Sequence, residues 1–254
     1  MKKHLSILLC LVTALCCACA ACAEGGAEEW YNQGLEAEKA GDYILAFKCY
    51  EQAAEQGDAL AQCNLGVLYY GGLGTEQSYG KAAEYFRLAA EQGNMPAQYN
   101  LGILYKNGVG VEQSCEKAAE YFILAADQGE LNAQNQLAYM YKDGVGVEQS
   151  YEKAAEYFGL AADQGDANAR HNLGIMYKEG LGVEQSYDKA AEYFLLAADQ
   201  GLADSQVLIG SFYLLGYGVE KSSDKAAEYF ILAANQGNED AIAFLSLMQN
   251  QGER

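Results

Sequence analysis

Apolar residues recur along most of this chain at helical spacing, and the whole pattern repeats every 36 residues. Its clearest marker is the motif KAAEYF, which occupies positions Lys117 to Phe122. The same six residues return at 81–86, 153–158, 189–194 and 225–230. A fixed period of this size predicts stacked supersecondary units rather than one domain around a single core.

Each period contains two helical patterns separated by a loop that contains glycine. In the first full period, Ala61, Leu65, Leu68 and Tyr69 are spaced so that they share one face of a helix. The second pattern is apolar on more than one side, as expected for a helix packed between its own partner and the next unit. The sequence therefore predicts an all-α fold of stacked helix pairs.

The predicted domain organisation follows these periods. Residues 1–23 are a candidate leader. Residues 24–57 form a shorter helical hairpin, in which Trp30 and Gly34 stand where a tetratricopeptide-type hairpin has packing residues, and this hairpin caps the array. A single helix with a polar tail, residues 238–254, closes it. Between these ends lie five units of 36 residues: 58–93, 94–129, 130–165, 166–201 and 202–237.

Glycines have two predicted roles in each unit. Gly108 suits a left-handed cap at the end of a first helix, and Gly110 suits a second bend in the loop that follows. A phosphate-binding loop is the alternative interpretation of this Gly-x-Gly, but no strand precedes it and no Lys-Ser/Thr follows it. Inside the first helix, Gly66 and its counterparts cost about 1 kcal/mol each relative to alanine. We interpret their recurrence as a close approach between helices.

The first 23 residues have the parts of a secretory signal peptide: a basic start, an apolar run from Leu5 to Leu15, and small residues up to Ala23. We expect cleavage after Ala23 and an exported protein, periplasmic or secreted. The alternative is a lipoprotein signal with a lipid anchor at Cys22. Cys19 then stands where such a signal normally has leucine.

The eight cysteines do not indicate a disulfide framework, because five of them lie in the leader. The expected mature chain keeps Cys49, Cys63 and Cys115. An odd number leaves at least one thiol free or paired outside the chain. Cys49 and Cys63 belong to adjacent predicted helices, and both a disulfide and two packed thiols stay open. Cys115 replaces a tyrosine found in other units, so we expect a packed thiol there.

Charge excludes some classes of partner. The formal net charge is −19, and it becomes −21 without the two lysines of the leader. Such a chain repels phosphate backbones and anionic lipids, so we expect no nucleic-acid partner and no membrane insertion after cleavage. Within the repeated motif, Glu84 follows Lys81 by three residues, and this spacing predicts local ion pairs on an exposed helix face.

The repeated columns resemble the Sel1-like repeat, a 36-residue relative of the tetratricopeptide repeat. The matching stretches of the second unit are 97–105 (AQYNLGILY), 108–111 (GVGV), 117–122 (KAAEYF) and 125–129 (AADQG). The match extends in five copies over 58–237, and partly over 28–57 and 238–250. The resemblance implies a right-handed α-α superhelical solenoid with an adaptor role between proteins. Exported bacterial members have been linked to envelope signalling and host interaction. It also implies that the first helix of each pair lines the concave side.

A second function follows from the same resemblance. A cysteine-rich branch of the family has been described as binding penicillin-like compounds, with a disulfide in each helix pair. Units 130–165, 166–201 and 202–237 contain no cysteine. Binding or hydrolysis of a β-lactam is therefore the alternative and not our prediction.

Candidate binding residues come from the positions where the copies differ on one side of the first helix. Two variable columns, seven residues apart, fall on one stripe of that helix. The candidates for the concave protein-binding face are Tyr99, Lys106, Asn135, Lys142, His171 and Lys178. The alternative is a solvated face that binds nothing.

We predict a non-catalytic, monomeric scaffold of the bacterial cell envelope that binds a protein or peptide. His171 is the one histidine after the leader. Nothing near it in the sequence shows metal-ligand spacing or pairs a nucleophile with a base. We therefore predict no catalytic residue, no metal site and no cofactor.

Overall fold

The computed structural model describes residues 25–252. The predicted leader and its Cys22 lie outside the described residues. Every regular element within 25–252 is a helix. The chain divides between Ser114 and Cys115 into two compact units.

The N-terminal unit contains five helices. They are α1 (Ala27–Lys39), α2 (Tyr43–Glu55), α3 (Ala59–Gly71), α4 (Tyr79–Glu91) and α5 (Met95–Asn107). Each helix packs on the one that follows it in the chain. Helices α1 and α3 are first helices of their pairs, α2 and α4 are second helices, and α5 begins the next pair.

The C-terminal unit contains eight helices. They are α6 (Cys115–Ala126), α7 (Leu131–Asp143), α8 (Tyr151–Asp163), α9 (Ala167–Glu179), α10 (Tyr187–Asp199), α11 (Ala203–Leu215), α12 (Ser223–Asn235) and α13 (Glu239–Gly252). Here too each helix packs on its neighbour in the chain. The last helix, α13, packs on α12, where the Phe244 ring stacks on Phe230 with centroids 4.9 Å apart. The predicted all-α fold of stacked helix pairs is confirmed.

Helix starts are fixed by the residues that the repeat places just before them. Asp58 Oδ1 accepts a hydrogen bond from the backbone N–H of Ala61 at 2.7 Å, and Asp166 does the same for Ala169. Serines cap the second helices: Ser78 Oγ accepts from the backbone N–H of Lys81. These side chains satisfy N–H groups that a helix start leaves without partners.

The glycine inside the first helix lies directly under a buried ring of the second. In the first full repeat, a Cβ on Gly66 would come 2.7 Å from Phe86. The same arrangement joins Gly174 to Phe194 in the C-terminal unit. The interpretation of this column as a close approach between helices is confirmed, and it explains why the helix tolerates glycine in its interior.

The second glycine of each loop packs against the backbone of the previous second helix. Gly110 has φ +72°, and a Cβ there would lie 2.3 Å from the carbonyl oxygen of Tyr79. Gly146 approaches the carbonyl oxygen of Cys115 in the same way. The predicted bends at Gly108 and Gly110 are confirmed by their positive φ angles, and the structure adds that the loops are part of the stacking between repeats.

A buried glutamine, which the sequence analysis did not single out, joins consecutive repeats. Gln62 Nε2 donates to the carbonyl oxygen of Ala54 at 3.3 Å, and Gln62 Oε1 accepts from Gln92 Nε2 at 2.8 Å. Gln134 and Gln206 make the corresponding pairs in the C-terminal unit. Each amide thus satisfies a helix-end carbonyl that packing has removed from water.

The structure decides between the two interpretations of the cysteines. Cys63 carries a free thiol in α3, and burial raises its pKa to about 11. The disulfide between Cys49 and Cys63 is therefore not formed, and Cys49 is buried in α2 as a packed residue. Cys115 is a half-buried free thiol at the start of α6.

None of the helices between residues 25 and 252 combines the length and the apolar character needed to cross a membrane.

Candidate functional site: the exposed side of the first helices

Each first helix from α3 to α11 presents one side to solvent. In α3 this side consists of Leu60, Asn64 and Val67, which follow one another at intervals of four and three residues. Leu60 is 50% exposed and Val67 is 41% exposed. We call these positions, with their counterparts 36 residues apart in the later repeats, the first-helix stripe.

The six predicted binding residues lie beside this stripe, and all six are half-buried. Tyr99 directly precedes the stripe residue Asn100, and one position along a helix turns a side chain by about 100°. Tyr99 and Lys106 share α5 in the N-terminal unit. Asn135 and Lys142 share α7, and His171 and Lys178 share α9, in the C-terminal unit. Their role in binding a partner stays a prediction.

His171 is held by its neighbours within the C-terminal unit. Its Nδ1 forms a hydrogen bond of 2.8 Å with the hydroxyl of the buried Ser205 on α11, and its ring lies 5.9 Å from that of Phe194. Burial lowers the pKa of His171, while the nearby charge of Asp204 acts in the opposite direction. This hydrogen bond joins the imidazole to another helix of the same unit, so we interpret His171 as a structural residue.

Asn135 occupies the same place one repeat earlier and lacks such a partner. Its Oδ1 atom is buried and accepts no hydrogen bond from the described residues. The position that corresponds to Ser205 is held by Ala169, which has no hydroxyl to offer. The histidine of unit 166–201 thus meets a serine of the next unit, whereas the asparagine is left with an unsatisfied atom.

The predicted lysines do not form a free cationic row in the C-terminal unit. Lys142 Nζ lies 5.0 Å above the ring of Tyr139, and Lys178 Nζ pairs with the adjacent Glu179 at 2.9 Å. This ion pair is exposed, so it adds little to stability. Both charges are already engaged by the residues around them.

The motif lysines behave differently from the sequence prediction. Lys81 Nζ lies 5.0 Å from the centre of the Tyr69 ring, and Tyr69 stacks on Tyr85. Lys153 and Lys189 take the same position over Tyr141 and Tyr177. The predicted ion pair with Glu84 is therefore wrong for Lys81, because its ammonium group lies over the Tyr69 ring instead.

An aromatic side chain of the C-terminal unit completes one segment of the stripe. The ring of Tyr139 stands edge-on to the buried Phe158, with centroids 5.1 Å apart. Its hydroxyl accepts a hydrogen bond of 3.0 Å from Asn172 Nδ2 on the next first helix. The ring of Tyr139 on α7 thus contacts α8, remains 38% exposed, and has its hydroxyl satisfied by α9.

The corresponding place in the N-terminal unit is an open hollow of about 330 Å³. Its residues come from α3, α4 and α5. They are Val67, Tyr70, Phe86, Tyr99, Asn100, Ile103 and Leu104. Of these seven residues, only Tyr99 is among those predicted from the sequence. The sequence contained one relevant signal. Val67 and Tyr139 lie 72 residues apart, which is two periods of 36, so equivalent positions carry side chains of different size.

Charge separates this region from the rest of an acidic chain. Helix α3 carries no charged side chain, and α5 carries only Lys106. No group of three or more metal-ligating side chains occurs among residues 25–252. The uncharged side of α3 therefore suits apolar contact with a neutral partner.

Comparison with protein families identifies the repeat. The Sel1 repeat model matches residues 18–58, 59–94, 96–130, 131–166, 167–202 and 203–238. The chain belongs to the Sel1 repeat family. The six matched segments include the hairpin of α1 and α2, where the sequence predicted a partial match.

Solved structures agree with this assignment. The Sel1-repeat protein is 34% identical to c5321, a protective antigen present in uropathogenic Escherichia coli strains that displays an SLR fold, with a TM-score of 0.85 over 89% of this chain and 49% of that one. The chain thus spans about half the length of c5321.

Two further structures are similar. A Sel1 repeat protein from Oxalobacter formigenes is 30% identical, with a TM-score of 0.72 over 85% of this chain and 86% of that one. YrrB, a TPR protein with an unusual peptide-binding site, is 22% identical, with a TM-score of 0.51 over 78% of this chain and 97% of that one. A search of curated proteins gives no match. The Sel1 and TPR-like fold is consistent with a scaffold for protein–protein interaction.

Proposed function

We propose that this Sel1-repeat protein is a non-catalytic, monomeric scaffold that binds a protein or peptide segment through its first-helix stripe. The observation that carries the proposal is the apolar side of α3, where Leu60, Val67 and Tyr70 are each about half exposed. Contiguous apolar surface that the chain does not cover is typical of an interaction site. The helix pairs behind it supply a rigid support.

The partner segment is predominantly apolar where it meets the N-terminal unit. Helix α3 offers no charge to a charged partner, and desolvating an ion without a counter-charge is unfavourable. Elsewhere the net charge of −19 repels acidic proteins and favours encounter with neutral or basic ones.

Selection of a random peptide library on the purified chain tests this function. We expect enriched peptides that bind wild type and lose affinity when Ile103→Glu places a charge on the stripe. Ile231→Glu is the matched control, because Ile231 is exposed on the second helix α12. Equal loss with both variants would assign binding to general hydrophobicity, and no enriched peptide at all would contradict the proposal.

Export to the cell envelope is part of the same proposal. The leader pattern supports it, as does the similarity to c5321, which is a protective antigen. Mass spectrometry of the native protein tests it. A mature terminus at Glu24 is the expected result, a lipid adduct on Cys22 would establish the anchored form, and an intact leader would contradict export.

The β-lactam alternative lacks a specific observation in its favour. The disulfide of the cysteine-rich branch has no counterpart at Cys63, which is a thiol. Turnover of a chromogenic β-lactam by the purified protein would contradict the non-catalytic proposal.

A further inference from the structure

The hollow of the N-terminal unit and the site around Tyr139 occupy equivalent positions of the repeat, two periods apart. Val67 corresponds to Tyr139, Phe86 to Phe158 and Asn100 to Asn172, each pair separated by 72 residues, or two periods. The later site contains its own phenol ring. The earlier site keeps Phe86 and Asn100 but has Val67 in place of the tyrosine.

We propose that the hollow between α3, α4 and α5 binds a tyrosine side chain of the partner segment. This inference rests on the proposed binding function and names the residue that the stripe recognises. The bound ring takes the place that Tyr139 takes two repeats later, edge-on to Phe86. Its hydroxyl accepts a hydrogen bond from Asn100 Nδ2, as the Tyr139 hydroxyl does from Asn172.

Asn100 is the residue that favours a phenol over a purely apolar ring. Its side chain forms no hydrogen bond within residues 25–252, yet it lines a hollow whose other lining residues are aliphatic or aromatic. Asn172 shows what this amide does when a phenol is present. A benzyl side chain would leave the amide without a partner, and such a vacancy disfavours the wrong ligand.

Size and charge point to the same occupant. A hollow of about 330 Å³ is at the lower end of the range of about 300–1,000 Å³ for ligand sites, which suits one side chain better than a whole cofactor. The seven lining residues carry no charge, and α3 as a whole carries none. A neutral phenol is electrostatically complementary to this surface, whereas a carboxylate or an ammonium group would be desolvated without a counter-charge.

The test uses p-cresol and toluene, the side-chain analogues of tyrosine and phenylalanine, titrated into the purified chain and followed by NMR. We expect p-cresol to bind about 3- to 10-fold more tightly than toluene, the ratio given by one hydrogen bond. The side-chain amide signal of Asn100 should shift with p-cresol only.

Two variants separate the contributions. Val67→Tyr supplies an internal ring, as Tyr139 does, and should abolish binding of both analogues while the protein stays helical. Asn100→Leu introduces the residue that Leu208 provides at this position in a later repeat. This variant should keep toluene binding and lose the preference for p-cresol.

The outcomes distinguish this inference from the proposed function. Failure of p-cresol to bind wild type, or binding that Val67→Tyr leaves unchanged, would overturn the inference. If library peptides still bind the stripe in that case, the scaffold function stands with a different anchor. Enrichment of tyrosine among peptides that lose affinity on Val67→Tyr would support both.

Discussion

Both units are built from copies of the same repeat, but the residues on their first-helix stripes make different contacts. In the C-terminal unit, Tyr139 accepts a hydrogen bond from Asn172 and packs on Phe158, and His171 forms a hydrogen bond with Ser205. In the N-terminal unit, the stripe around Val67 exposes apolar side chains and leaves Asn100 without a hydrogen bond among the described residues. The difference is that one stretch places its own phenol ring at this site, while the other leaves the hollow at which we propose that a partner binds.

Substitution of the loop glycines should have the largest effect. It tests whether the same scaffold supports the stripe in both units. Gly110→Ala and Gly146→Ala each place a Cβ 2.3 Å from a carbonyl oxygen at positive φ. We expect each to lower the free energy of unfolding by about 3 kcal/mol, measured by urea denaturation of the full chain. Gly129→Ala, at φ +92° with open space around it, is the control and should cost about 1 kcal/mol. A large loss in only one unit would show that the scaffolds differ.

Opening the filled site should make the C-terminal unit resemble the N-terminal one. Tyr139→Val removes an aromatic contact and the hydroxyl that Asn172 bonds, so we expect a loss of about 2 kcal/mol in urea denaturation. The same variant should bind a second equivalent of p-cresol. Val67→Ala, at the equivalent position, should cost about 1 kcal/mol or less, because Val67 is 41% exposed and bonds nothing. Equal costs at the two positions would remove the distinction between a closed and an open stripe.

A hydrogen bond like that of His171 should form one repeat earlier, at Asn135, when a serine is introduced at the position equivalent to Ser205. Ser205→Ala removes the partner of His171 and should cost about 1 kcal/mol. Ala169→Ser offers a hydroxyl to the buried Oδ1 of Asn135 and should stabilise the protein by a similar amount, since Ser205 fits at the same position with no exposed surface. Thermal denaturation of both variants is the measurement. Destabilisation by Ala169→Ser would mean that the two positions differ in packing.

The smallest expected effect is a pH dependence specific to the C-terminal unit. Because burial lowers the pKa of His171, the unfolded chain binds a proton there at a higher pH than the folded one. Stability from this group is therefore complete above the unfolded pKa of about 6.5 and declines as the pH falls through it toward the lower folded value. The difference in stability between wild type and His171→Asn, followed from pH 8 to pH 5 (about the range in which histidine titrates), isolates this contribution. A difference that does not change with pH would contradict it.

Much of the fold follows from the sequence because a repeat array is built from local rules. The motif KAAEYF, the cap residues Asp58 and Asp166, and the glycine at Gly66 each act within one helix pair or between adjacent pairs. The motif phenylalanine is buried in all five copies, so a column that the period keeps unchanged reports a shared contact. Export, by contrast, was read from residues outside the described part and stays a prediction.

The sequence by itself determined the helices, their ends and their order, and the tertiary structure decided which side of each first helix remains open. Tyr99 and Asn100 are adjacent in the sequence and are both half-buried, but only the structure shows that the amide of Asn100 has no hydrogen bond among the described residues. The hollow needs Val67, Phe86 and Asn100 from three helices. Its emptiness depends on the size of one side chain in three-dimensional packing, and spacing along the chain does not encode that.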